Sequence, residues 1–237
     1  MLSGQVAVVT GAGRGIGRAI ALGLAREGAA VVLASRTRPE LESVATAIGG
    51  QGGRSRVVPT DVTSDREIDA LITETLGVFD RVDIVVPAAG AAAFGAVAEA
   101  KADDWDAMLA VNLRAVMRTC RAALPAMVAQ RSGTIIIIGS IAARRPIPGA
   151  AAYSATKAGV EAFGRVLAEE LRSAGVRVGV LAPGAVDTPI WDRVPNPPDR
   201  RRMLKDEDVA RAAVLMAALP ARASLEDLTL LPAGGIL

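Results

Sequence analysis

The 237-residue chain contains no histidine, a single cysteine (Cys120) and a single tyrosine (Tyr153). Without histidine, Ser-His-Asp and Cys-His nucleophilic sites are excluded, and so are the usual histidine-containing zinc sites. One cysteine cannot form an intrachain disulfide. Aromatic residues make up only 3% of the chain, so alanine, valine, leucine and isoleucine must fill the core.

Charge of one sign and long apolar runs are also scarce. The formal net charge is +2, which is too small to indicate nucleic-acid binding, and short basic runs such as 199–202 are interpreted as solvated surface. No apolar run reaches the roughly 18 residues of a membrane span. The stretch MLSGQVAVVTGAG (1–13) lacks a charged n-region and a cleavage site and is interpreted as a first strand. We therefore expect a soluble cytoplasmic protein without membrane or nucleic-acid partners.

What the sequence does contain is a regular alternation of short apolar runs and longer helical patterns. This alternation predicts one doubly wound (Rossmann) α/β domain over 1–237, with a seven-stranded parallel sheet and helices on both faces. Strands are predicted at 6–10, 30–35, 56–60, 82–86, 134–140, 177–182 and 228–231. Helices are predicted at 16–28, 39–48, 64–76, 103–129, 151–173 and 205–219. The Pro-rich stretch at about 187–203 follows a strand's carboxyl end and is predicted to be a substrate lid.

A glycine-rich stretch, TGAGRGIG (10–17), separates the first strand from the first helix. Gly11, Gly15 and Gly17 let the backbone approach a pyrophosphate and let the helix pack closely on the strand. The helix N-terminus offers free N–H groups to the phosphates. The stretch therefore predicts a dinucleotide-binding loop.

The end of the second strand indicates which dinucleotide is bound. A NAD site usually has an acid here, bonded to the adenosine ribose. This chain has Ser35 followed by Arg36, and Arg14 in the glycine-rich turn adds a second cation. Serine and arginine can bind a 2′-phosphate that a carboxylate would repel. The sequence therefore favours NADP(H) over NAD(H).

Taken together, these motifs resemble the short-chain dehydrogenase/reductase family from Val6 to Gly235. The resemblance rests on TGAGRGIG (10–17), DV (61–62), VNL (111–113), GS (139–140), YSATK (153–157) and PGAVDT (183–188). It implies a catalytic tetrad of Asn112, Ser140, Tyr153 and Lys157. It also implies cofactor contacts from Ile16, Asp61, Val62, Ala89, Gly90, Pro183, Gly184, Val186 and Thr188, as well as from Tyr153 and Lys157. Asp61 and Val62 would flank the adenine, and Val186 and Thr188 would touch the nicotinamide carboxamide.

The expected reaction interconverts a carbonyl and an alcohol. Tyr153 and Lys157 are four residues apart and share one helix face, so the lysine is predicted to lower the tyrosine pKa and to bond the nicotinamide ribose. Tyr153 would then act as acid in reduction and as base in oxidation. Ser140 would hold the carbonyl oxygen, and Asn112 would hold a water that leads protons out. No metal is expected.

The substrate pocket is predicted from mostly apolar stretches: 91–94, 142–149, 183–184 and the lid around Ile190 and Trp191. A hydrophobic ketone or aldehyde fits such a pocket. Arg144 and Arg145 would either bind a carboxylate or phosphate or lie on the surface.

One departure from the family is PAAG (87–90), where Asn-Asn-Ala-Gly is usual. This substitution loses side-chain hydrogen bonds between the central strands.

Two other functions remain open from the sequence. A 3-oxoacyl-carrier-protein reductase would dock an acidic carrier on a basic surface, to which Arg131, Arg172 and Arg177 could contribute. A non-catalytic NADP-binding regulator would need no turnover.

The resemblance also implies a homotetramer, or a homodimer, assembled through the helices at 103–129 and 151–173. The apolar stripe of 155–171 could pack on its own copy or face the sheet.

Overall fold

The structure is a computed structural model that describes residues 1–194 and 197–235. Its strands are β1 (Val6–Thr10), β2 (Ala30–Ser35), β3 (Ser55–Pro59), β4 (Ile84–Pro87), β5 (Gly133–Ile138), β6 (Val176–Pro183) and β7 (Asp227–Leu230). Its helices are α1 (Gly15–Arg26), α2 (Arg38–Gly49), α3 (Asp65–Phe79), α4 (Ala102–Leu109), α5 (Ala115–Gln130), α6 (Ala151–Leu171) and α7 (Asp206–Ala218).

The seven strands form one parallel sheet in the order β3-β2-β1-β4-β5-β6-β7. The predicted fold class is therefore confirmed. The chain runs outward from β1 to β3, then crosses back to add β4 on the other side of β1. In open parallel sheets, ligands bind at the carboxyl ends of the strands where the order reverses, and here that point lies between β1 and β4.

Side chains of β1 show how both faces of the sheet are covered. All five of its residues are buried, and successive residues point to opposite faces. Ala7 and Val9 join a core with helices α1, α2 and α7. Val6 and Val8 join a second core with α3, α5 and α6. This two-sided burial explains why the strands are continuous apolar runs and not alternating ones.

The predicted long helix 103–129 is interrupted. Between α4 and α5, residues Ala110–Arg114 form one turn of π-helix, with Asn112 fully buried inside it. Such a turn accommodates one extra residue in a helix and is frequent at functional sites. None of the helices in the described ranges combines the length and hydropathy needed to cross a membrane.

Candidate active site

The residues proposed from the sequence gather at the carboxyl edge of the sheet. Eight of them follow or end one of six strands: Gly11 after β1, Ser35 on β2, Asp61 after β3, Ala89 and Gly90 after β4, Ser140 after β5, and Pro183 and Gly184 at the end of β6. Because parallel strands all end at this edge, residues that are far apart in sequence are brought side by side. No group of three or more His, Cys, Asp or Glu within the described residues is arranged to hold a metal ion.

The glycine-rich loop is shaped by close backbone contacts. Gly11 and Gly15 have φ of +67° and +53°, conformations that glycine adopts without strain. A side chain at Gly11 would lie 2.8 Å from the Ala89 backbone, and one at Gly17 would collide with the Gly11 carbonyl. Helix α1 therefore begins directly against the loop, with Arg14 as its exposed N-terminal cap. Ile16 is half-buried in the first turn.

The adenosine side of the loop is polar. The Ser35 Oγ is buried and has no hydrogen-bond partner within the described residues, and Arg36 beside it is exposed. Asp61 accepts hydrogen bonds from the Thr63 amide (2.9 Å) and hydroxyl (2.7 Å). These bonds lower the Asp61 pKa, with a smaller contribution from the charge of Arg36. Val62 is buried behind them.

Tyr153 lies on the first turn of α6, half-buried beside Ser140. Burial raises its pKa above 10.0, and the Ser140 hydroxyl partly offsets this. The prediction of a lowered tyrosine pKa is therefore wrong for the protein by itself, because desolvation by burial outweighs the opposing hydrogen bond with Ser140. Ser140 has an extended backbone, and its Oγ accepts a hydrogen bond from the Ala142 amide (3.1 Å).

Lys157 is 6% exposed and follows Tyr153 by one helical turn. Its Nζ donates to the carbonyl oxygen of Ile138 (2.9 Å) and lies 5.7 Å from the centre of the Tyr153 ring. Burial lowers the lysine pKa to about 8, and the charge of Glu161 raises it in part. At neutral pH the lysine therefore remains mostly charged.

Asn112 connects two segments of the site through its side chain. Its Oδ1 accepts from the Ala91 amide (2.8 Å), and its Nδ2 donates to the Ala91 carbonyl (2.8 Å) and the Thr156 Oγ1 (3.2 Å). Thr156 in turn donates to the Tyr153 carbonyl (2.7 Å). The Asn112 side chain therefore positions the segment after β4 against α6.

The substituted PAAG segment retains a tie to β1. The Ala89 amide donates to the Thr10 Oγ1 (3.2 Å), so one hydrogen bond still joins the ends of the two central strands. A side chain at Gly90 would approach the Asn112 Oδ1 at 3.6 Å. The amides of Ala89 and Ala91 thus bond the side chains of Thr10 and Asn112, and neither hydrogen bond involves the substituted positions 87 and 88.

The Arg144 guanidinium is hydrogen-bonded to carboxylates of the protein itself. It bonds both carboxylate oxygens of Glu161 (3.1 and 3.0 Å), both of Asp227 (2.9 and 2.6 Å) and the Thr229 hydroxyl (2.8 Å). Glu161, which is 5% exposed, was not identified from the sequence. Its spacing of four residues from Lys157 on one helix was the available signal. Arg145 makes no ion pair within the described residues and is exposed.

An aromatic contact covers the tyrosine. Phe94 lies 6.0 Å from Tyr153 and stacks on Trp191 of the lid at 5.9 Å between ring centres. The Trp191 Nε1 donates to the Val186 carbonyl (2.8 Å). Thr188, at the start of the lid, faces the glycine-rich loop, 3.4 Å from where a Gly15 side chain would lie.

The remainder of the lid is anchored at both ends. Val186 and Leu204 form an isolated parallel β-bridge, and the Asp187 carboxylate accepts a hydrogen bond from the Lys205 Nζ (2.9 Å). Within the predicted lid, 195 and 196 lie outside the described residues. The loop 142–149 borders a groove of about 630 Å³ that also reaches Ala151 and Ser154.

The three arginines considered for carrier docking lie at the opposite edge of the sheet. Arg131 precedes β5, and Arg172 and Arg177 flank the start of β6. Ser140 follows the carboxyl end of β5, a strand of six residues that is roughly 20 Å long. Arg177 also donates to the Leu219 and Ala223 carbonyls, and Arg172 pairs with Glu169 and Glu226.

Comparison with known proteins matches residues 5–198 to the family model described as short chain dehydrogenase. An uncharacterized oxidoreductase of Staphylococcus aureus (strain USA300) is 40% identical over 232 residues, which cover 98% of this chain and 99% of that protein. One from Staphylococcus haemolyticus (strain JCSC1435) is 35% identical, with 98% of both chains covered.

Two solved structures are also similar. A metagenomic short-chain oxidoreductase in complex with NADP is 37% identical, with a TM-score of 0.86 and 98% of both chains covered. An alcohol dehydrogenase from the archaeon Thermococcus sibiricus, complexed with 5-hydroxy-NADP, is 34% identical, with a TM-score of 0.89 and 95% of both chains covered.

Proposed function

The chain belongs to the short-chain dehydrogenase family of oxidoreductases, and from that premise we propose that it interconverts a carbonyl and an alcohol with NADP(H), using Tyr153 as the acid and base. The observation that carries the proposal is the cluster of Ser140, Tyr153 and Lys157 at the same sheet edge as the glycine-rich loop. The reaction needs the residue cluster and the cofactor loop in one crevice, because the hydride must reach the carbonyl carbon and the proton must reach the oxygen bonded to it.

The chain's own residues fit the cofactor. Gly11, Gly15 and Gly17 leave a cradle that side chains would fill. The buried Ser35 hydroxyl lacks a partner within the described residues, as expected of a group that bonds a ligand. Arg36 and Arg14 supply charge for a 2′-phosphate. The two similar solved proteins hold NADP and 5-hydroxy-NADP. When bound, the reduced cofactor supplies the hydride.

Proton transfer falls to Tyr153. Because burial raises its pKa, the phenol is protonated at neutral pH and is suited to donate to the oxygen of a carbonyl being reduced. The Ser140 hydroxyl orients that oxygen. Lys157, which is mostly charged at neutral pH, stabilises the phenolate left behind. Because the Asn112 side chain is already hydrogen-bonded to protein, a water serving the proton path would bind main-chain groups of the π turn.

The proposed substrate is a mainly apolar ketone or aldehyde. Phe94 contacts the tyrosine and stacks on Trp191 of the lid, and the mostly apolar loop 142–149 borders a groove that reaches Ala151 and Ser154, close to Tyr153 in the chain. Arg144 contributes little to anion binding, because Glu161 and Asp227 already neutralise it. The carrier-protein alternative is not favoured, because its three arginines lie at the far edge of the sheet. The regulator alternative is not favoured either, because all four tetrad side chains are present.

A carbonyl and alcohol panel with NADPH and NADH in parallel tests the proposal. We expect turnover of apolar ketones with NADPH. We expect Tyr153→Phe to lose at least about 100-fold in kcat, since general acid–base catalysis supplies roughly that much, while NADPH binding is retained. Full activity of Tyr153→Phe would overturn the role of the tyrosine. NADPH binding without turnover on any compound would favour the regulator.

A further inference from the structure

Glu40, in the first turn of α2, lies over the glycine-rich loop. A side chain placed on Gly13 would come within 2.7 Å of the Glu40 Oε2 and 3.0 Å of its Cβ. The same position is 3.2 Å from the Ser35 Oγ. The missing side chain at Gly13 therefore leaves a space that the carboxylate and the serine hydroxyl share.

The carboxylate lies in the region assigned to the adenosine ribose. Ser35 ends β2 at the position that contacts the ribose 2′ substituent in folds of this kind. Glu40 is half-buried and makes no ion pair within the described residues. Its neighbour on the helix, Glu42, differs, because it is exposed and pairs with Arg38 at 3.5 Å. A negative charge is thus held where a serine and an arginine alone were expected.

We propose that Glu40 sets the choice between the 2′-phosphorylated and the unphosphorylated dinucleotide. This inference rests on the proposed function. Its carboxylate repels a 2′-phosphate at close range and accepts hydrogen bonds from free ribose hydroxyls. Arg36 and Arg14 attract the phosphate. The opposed charges keep the preference for NADP(H) modest, so the protein accepts both cofactors.

The test uses cofactor fragments, so its readout does not depend on catalysis. Calorimetry measures binding of 2′,5′-ADP and 5′-AMP to the wild type, Glu40→Gln and the matched control Glu42→Gln. Glu40→Gln is expected to tighten 2′,5′-ADP binding about tenfold, since removal of one nearby like charge is of the order of 1.4 kcal/mol. Binding of 5′-AMP is expected to stay the same or weaken. Glu42→Gln is expected to change neither.

A second variant separates charge from reach. Glu40→Asp keeps the charge but withdraws it by one methylene, and its affinity for 2′,5′-ADP is expected to fall between those of the wild type and Glu40→Gln. Equal affinity of wild type and Glu40→Gln for 2′,5′-ADP, or equal tightening of both fragments, would overturn the inference and leave the proposed function standing. If the wild type bound neither fragment and neither NADPH nor NADH, the proposed function would fail as well.

Discussion

Lys157 is a charged side chain that is almost completely buried within the candidate active site. Its ammonium donates a hydrogen bond to the Ile138 carbonyl, and burial lowers its pKa from 10.5 to about 8. Between those pH values the unfolded chain binds more protons than the folded one, so this group's contribution to stability rises with pH. Below about pH 8 the whole cost of burying the charge is present.

Replacing this lysine should therefore stabilise the protein without cofactor while abolishing its activity. Lys157→Met is expected to raise the free energy of unfolding by about 2 kcal/mol at pH 7, from the pKa difference less one lost hydrogen bond. The gain should shrink by pH 9.5. Denaturant titrations at both pH values measure it, with the exposed Lys101→Met as control. A Lys157→Met variant less stable than wild type at pH 7 would contradict this account.

A tetrad of Asn112, Ser140, Tyr153 and Lys157 could be predicted from the sequence because these residues match the family's motifs, and its catalytic role stays a prediction. The direction of the Tyr153 pKa could not be predicted, because it depends on how deeply the fold buries the ring. Glu40 was missed for a related reason. Its position matters only because Gly13, which is distant in sequence, leaves room for it.

At the scale of elements, alternating patterns predicted every strand and helix to within a few residues. The exception is the helix 103–129, whose apolar periodicity continues through Asn112. At the interruption, the buried Asn112 side chain is hydrogen-bonded to Ala91 and Thr156. Because Ala91 and Thr156 belong to other segments of the chain, the sequence pattern around Asn112 does not predict the π turn.

The Arg144–Glu161–Asp227 network joins three elements. Arg144 belongs to the loop after β5, Glu161 to α6 and Asp227 to β7. Because Glu161 is buried, its charge needs the arginine. The network thereby fixes one wall of the groove next to Tyr153, and it explains why a loop arginine that looked available for substrate is structural.

Removing the arginine should be costly. Arg144→Ala is expected to lower the free energy of unfolding by about 2–3 kcal/mol, because a buried carboxylate loses its partner. Arg144→Ala combined with Glu161→Gln should lose less than the two single variants added together. Urea denaturation of the cycle measures this coupling. The control is Arg165→Ala, whose exposed side chain lies 3.9 Å from Glu161 and should change stability by less than about 0.5 kcal/mol. Additive losses would show that the network is not coupled.

At the scale of the whole molecule, the seven-stranded sheet follows from strict alternation and right-handed crossovers. Assembly does not follow in the same way. Most of the apolar stripe of 155–171 faces the sheet, with Val160, Leu167, Ala168 and Leu171 buried. Val166 on the outer side of α6 is 59% exposed, and Met117 and Val128 on α5 are 43% and 42% exposed. Within the described residues, these are the large apolar side chains that α5 and α6 expose.

We expect the protein to be a homotetramer, or a homodimer, that uses this outer side of α5 and α6. A charge at Val166 would be buried without a partner in such an interface, which is strongly unfavourable. Val166→Asp should therefore shift sedimentation toward the monomer at micromolar concentration. Val78→Asp, at another exposed valine (47%) on α3, should sediment as the wild type does. A wild type that sediments as a monomer would show that there is no such interface. A Val166→Asp variant that still assembles fully would show that the interface lies elsewhere. The variant should fold normally, because the interior packing that buries Leu167 and Ala168 is the same in both proteins.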